Sequence, residues 1–132
     1  MSKAERYAEH VLSLAQTLGV EVVVQGGGRA NRRRRRVKIP AIRGQVSYLV
    51  ALHELGHIAV KPEPVLRLDQ EVAAWEWALA NTLDEPTLAT WRSILRCLES
   101  YEERAERWSS MKRSLRWIDY LARVRQIVDA LA

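Results

Sequence analysis

Two of the chain's three histidines stand four residues apart in "ALHELGHIAV", residues 51 to 60, with Glu54 between them. Four residues on a helix bring side chains back to within about 40° of one face, so His53 and His57 can grip a single ion. Glu54 lies beside them, on the side such an ion leaves open. Zinc lowers the pKa of a bound water to about 7, and a carboxylate at that place is positioned to take the proton. Gly56 lets a second segment approach the ligand helix closely. The bland alternative is a helix that carries His and Glu by chance. It would bury two imidazoles and a carboxylate among apolar neighbours with nothing to compensate them.

A catalytic zinc site needs a third protein ligand. "RLDQEVAAWEWALA", residues 67 to 80, places Glu71 on an apolar arc with Leu68, Trp75 and Ala78. A carboxylate there needs a partner, either a metal ion or a buried arginine. Glu63 and Glu76 compete for the role. Glu63 is flanked by Pro62 and Pro64, and Glu76 lies at the edge of the arc near Asp69. Peptide deformylases share the His-Glu pattern but need a cysteine ligand upstream, and Cys97 lies downstream. His10 is expected on a helix surface. Tyr48 lies about 160° from the histidines on the helical wheel and is rejected as a transition-state donor. Tyr7, Tyr101, Tyr120 and several arginines stay open for that part.

"LHELGH" followed by "RLDQEVAAWEWA" resembles the ImmA/IrrE-like family of small zinc metallopeptidases, within the wider gluzincin group. The family pattern is HExxH and then a helix bearing Glu-x-x-Ala-x-x-aromatic-Ala, which Glu71, Ala74, Trp77 and Ala78 match. The resemblance spans about residues 33 to 82. It implies zinc held by His53, His57 and Glu71, with Glu54 as general base. It also implies cleavage of regulatory proteins such as helix-turn-helix repressors, in phage or mobile-element switches. Trp75 stands where related gluzincins often carry an Asp or Asn that braces a ligand histidine. That support must come from elsewhere here, for example a backbone carbonyl.

These residues need elements to hold them. Periodicity predicts a helix over 3–18 with Gly19 as its stop, then a strand in "VEVVVQ". "GGGRAN" reads as a turn or loop, and "RRRRVKIP" as a second strand with Val37 and Ile39 on one face. The two strands are expected to pair as an antiparallel hairpin, with Pro40 closing an edge strand. The motif helix covers 45–60 and is apolar all round, as a buried helix is. "KPEP" ends it. The next helix covers 67–83. Asp84 is expected to cap a further helix that carries Pro86 in its first turn and runs to about Trp108. A stripe of Leu88, Trp91, Leu95, Leu98, Ala105 and Trp108 marks its buried side. A last helix follows over about 111–131. The expectation is one α+β domain over 1–132. It is zincin-like: a small antiparallel sheet, the HExxH helix, the Glu helix and covering helices from about residue 84.

The composition narrows the class. Apolar residues make up 48 % of 132, which excludes general disorder. The charged N-terminal stretch is no signal peptide, no apolar run is long enough to cross a membrane, and a single cysteine suits a reducing compartment. A cytoplasmic protein is expected. The net charge of +5 is local, because residues 29 to 43 hold eight Arg and Lys and no acid. Without those eight, 13 of the 21 basic residues face 16 acidic ones. Arg32, Arg33, Arg34, Arg35 and Arg36 are candidates for binding nucleic acid or an acidic partner. Their other reading is a solvated strand edge whose charge prevents edge-to-edge pairing. In zincins the strand before the motif helix lines the cleft and takes up substrate as an added strand; here that would favour an acidic segment. The leading expectation is a zinc endopeptidase. The alternative is a nucleic-acid- or acidic-partner-binding module on the same fold, with a structural or vestigial metal.

Overall fold

In the computed structural model, which describes residues 1–132, five helices accompany a three-stranded mixed sheet, an α+β fold. The elements are α1 (Lys3–Leu18), β1 (Glu21–Val24), β2 (Arg29–Asn31), β3 (Arg36–Ile39), α2 (Gln45–Ala59), α3 (Arg67–Asn81), α4 (Leu88–Arg107) and α5 (Leu115–Leu131). The chain divides into two compact units. The first holds Met1–Glu63 and Ala73–Asp84, the second Pro64–Val72 and Glu85–Ala132. Helix α3 belongs to both.

In the first unit α1 starts at Ser2, whose hydroxyl accepts the Glu5 N–H at 3.1 Å. It ends at Gly19, which takes the left-handed conformation (φ 67°). The strand order is β1-β3-β2. β1 pairs with β3 in parallel and β2 pairs with β3 antiparallel. The expected antiparallel pairing of the first and last strands is therefore wrong, because "GGGRAN" contains a strand of its own. The hairpin is β2–β3. The chain returns through β2 before β3 inserts beside β1, so β3 is central and Pro40 follows an interior strand. The face assignment holds: Val37 and Ile39 are buried, and Lys38 is exposed. Helix α2 packs on β2 and β3, and α1 packs on α2 and β1. The core between them is Tyr7, Val11, Ala15, Val37, Ile39 and one side of α2.

Tyr48 stacks on Tyr7 with centroids 4.0 Å apart. Its hydroxyl lies 2.6 Å from His10 Nδ1 and accepts the Leu83 N–H at 3.1 Å. Tyr48 is thus a buried strut between α1 and α2. His10 is half-buried rather than fully on the surface. Burial, and then the nearby Arg6, lower its pKa from the usual histidine value. Burial raises the pKa of both tyrosines. Asp84 does not cap a helix. Its carboxylate accepts from Tyr7 Oη and Arg6 Nη2, both at 2.6 Å. The Tyr7 hydrogen bond first, and Arg6 next, hold it below the usual carboxylate range.

The second unit is built on α4, α5 and the start of α3. Thr87, not Asp84, caps α4 by accepting the Thr90 N–H at 3.3 Å. Pro86 precedes that cap. The buried side of α4 runs through Thr90, Ile94, Leu98 and Ala105. Leu88, Trp91 and Leu95 flank it half-buried, and Trp108 lies beyond the last turn, exposed. Ser114 caps α5 through the Trp117 N–H, and its hydroxyl donates to Asp69 Oδ1 at 2.5 Å. Trp117, Tyr120, Leu121 and Val124 fill the space against α4. No helix is long and apolar enough to cross a membrane.

Candidate metal centre

Helix α2 carries the histidines from a buried position: Leu49, Leu52, Leu55 and Ile58 are all fully or nearly fully covered. Its N-terminus is closed by Ser47, whose hydroxyl accepts the Arg43 and Gly44 N–H groups at 2.9 and 3.3 Å. Its C-terminus is closed by Arg32. That guanidinium donates from Nη1 to His57 O (2.8 Å) and Ile58 O (3.4 Å), and from Nη2 to Val60 O (2.9 Å). Nε lies 3.2 Å from Glu63. A cation on the last carbonyls of a helix satisfies orphan acceptors and suits the negative end of the dipole. Arg32 therefore anchors the end of the helix that presents His57.

Arg35 donates to Leu18 O, and Arg36 pairs with Glu21 at 3.2 Å. The arginine run is the β2–β3 turn. Three of its five guanidinium groups hold the first unit together, while Arg33 and Arg34 face solvent. We expect Arg32→Ala to cost about 2 kcal/mol, a fall in Tm of about 5–10 °C, and Arg33→Ala to be near neutral. Thermal melts of both variants test this. Equal Tm values would show that Arg32 does not anchor α2.

The rings of His53 and His57 lie edge to face, centroids 4.6 Å apart. Trp75 stacks on His53 at 4.1 Å with 17° between the planes. Trp75 thus positions this histidine by packing. The α2 and α3 backbones touch at Gly56, where a Cβ would stand 2.6 Å from Ala74 O. That contact brings α3 against the histidines. Glu71, one turn before Trp75 and fully buried, is delivered by the same helix.

Ligand atoms of His53, His57 and Glu71 all lie within 4.8 Å of one another. Around a tetrahedral ion with bonds of about 2.1 Å, donors stand roughly 3.4 Å apart. Small side-chain rotations close that difference, and two imidazole nitrogens with one carboxylate oxygen suit a divalent metal that keeps an open position. Of the two partners weighed for Glu71, an arginine is in place: Arg67 Nη1 lies 2.9 Å from Glu71 Oε2. Arg67 is only half covered and also donates to Tyr101 Oη at 3.1 Å. Glu63 is drawn off to Arg32, and Glu76 is exposed.

Glu54 is 7 % exposed. A Cβ on Gly28 would lie 2.7 Å from its Oε2, so the backbone entering β2 walls one side of this carboxylate. Sequence reasoning missed Gly28 and the part Arg32 plays in closing α2. The triple glycine was a visible signal, but only the β2 pairing shows which glycine meets Glu54. No protein-family model, curated protein or solved structure matches this chain.

Proposed function

We propose that this protein is a zinc-dependent endopeptidase. The observation that carries the reading is the convergence of His53, His57 and the fully buried Glu71, with Glu54 on the same helix as the imidazoles. A buried carboxylate beside two imidazoles is a costly arrangement that a divalent ion compensates. When bound, zinc supplies Lewis-acid polarisation of a carbonyl and acidifies water to a pKa near 7. His53, His57 and Glu71 would hold the ion. Trp75 fixes the His53 ring plane. Glu54 takes the proton from the attacking water and returns it to the leaving amine.

β3 is flanked on both sides, so an extended substrate segment would pair with the open edge of β2, whose entry at Gly28 borders Glu54. A regulatory protein such as a repressor is the substrate implied by the ImmA/IrrE-like resemblance. The test is elemental analysis of the purified chain together with hydrolysis of a mixed library of quenched fluorescent peptides. We expect about one zinc per chain. Chelation should abolish cleavage and lower Tm, and added zinc should restore both. A chain that takes up no metal on titration would end this reading.

A further inference from the structure

The register of the β2–β3 hairpin sorts its side chains by face. Ala30 opposite Val37 points inward, toward α2. Arg29 opposite Lys38, and Asn31 opposite Arg36, point outward. With Arg34 from the turn, these outward residues line a shallow depression of about 180 Å³. No acid lines it. Glu21 of β1 lies beside it and pairs with Arg36. Arg33 extends the charge around the turn, exposed. Outside this segment the chain has more acids than bases, so the excess of positive charge comes from this segment.

We infer that this face docks the phosphate backbone of a nucleic-acid duplex, independently of sequence. Guanidinium forks match phosphate oxygens better than ammonium groups do, and the face is mostly arginine. Same-face positions two residues apart on a strand stand roughly 7 Å apart, and neighbouring strands about 4.8 Å apart. That grid of cations suits a repeating line of phosphates. A single strand would need aromatic platforms for its bases, and the depression has none. An acidic protein segment would need an apolar pocket for anchoring side chains, and no apolar residue lines the depression. The inference needs no metal and stands apart from the peptidase reading.

The probe is a fluorescent 20-base-pair DNA duplex, titrated by anisotropy over a range of salt. Binding in the micromolar range at low salt is expected, with log K against log salt sloping about −3 to −4. The triple variant Arg29→Gln, Arg34→Gln, Lys38→Gln leaves the anchoring Arg32, Arg35 and Arg36 in place. It should melt like the parent, lose at least about tenfold in affinity at 0.1 M salt and flatten the slope to about −1. Three results would overturn the inference: no binding at low salt, an unchanged slope in the folded variant, or tighter binding of the single strand than of the duplex. Displacement of the duplex by poly-glutamate at equal charge concentration would assign the face to an acidic protein instead, and so would overturn it as well.

Discussion

Glu71→Gln should bind zinc at least about a hundredfold more weakly than the parent, because losing a ligand costs more than the tenfold to hundredfold of losing a ligand's support. At saturating zinc, a hundredfold loss removes about 2.7 kcal/mol of metal-linked stability. The loss should appear only when zinc is present. Without metal the variant replaces a buried carboxylate by a neutral amide of the same shape, so its melt should stay close to that of the parent. Glu63→Gln and Glu76→Gln should take up zinc like the parent, since one carboxylate is held by Arg32 and the other is exposed.

The competing explanation is that Glu71 serves only as the partner of Arg67. Arg67→Gln separates the two. If the ion pair is the sole purpose, Arg67→Gln and Glu71→Gln should lower the metal-free melt alike and leave zinc affinity untouched. Arg67 is 49 % exposed, so breaking the pair should cost well under the roughly 3–5 kcal/mol of a fully buried one. Calorimetric zinc titration of the five proteins decides the matter. Full affinity in Glu71→Gln would remove it from the ligand set.

The part of this site that was legible in the sequence is the part that helical periodicity controls. His53, Glu54 and His57 share one helix, and Glu71 declares itself as a carboxylate inside an apolar arc. Both signals are local. The close approach at Gly56 was legible as an opportunity, but its occupant, Ala74, was not. The sheet was misread for a physical reason. A three-residue strand behind three glycines, with Arg29 and Asn31 outward and only Ala30 inward, offers almost no apolar alternation. With β2 unseen, β1 and β3 looked like consecutive strands joined by a loop, and the hairpin rule then gave the wrong direction. The separate partners of the arginines were illegible for a related reason. A charge run looks like a single feature, yet its members here have separate destinations: the end of α2, the end of α1, and Glu21. Those partners lie 15 to 28 positions away in the chain, beyond any local pattern. Asp84 shows the same limit. A cap is the local reading of an acid before a proline, and the tertiary pull of Tyr7 and Arg6 overrides it.

Glu54→Gln should keep its zinc and lose hydrolysis by about 10²–10⁴-fold, the usual range for a positioned proton acceptor. The amide matches the carboxylate in size, which matters here because Gly28 lies so close that even a methyl on it would crowd Oε2. The variant should therefore fold and melt like the parent, and zinc content measured on the same sample should be unchanged. A side chain that merely packs against Gly28 would behave differently. Its loss of charge would not touch turnover, whereas a change of shape would. Glu54→Asp supplies that change: it keeps the charge and withdraws it by one methylene, so activity should fall while zinc stays bound. Gly28→Ala presses on the carboxylate from the other side, since a methyl there must displace either Oε2 or the β2 backbone. If Glu54 is the base, all three variants lose kcat with the metal retained, and Glu54→Gln loses the most. If Glu54→Gln turns over peptide at the parent rate while Gly28→Ala does not, the carboxylate only fills space and the proton acceptor lies elsewhere.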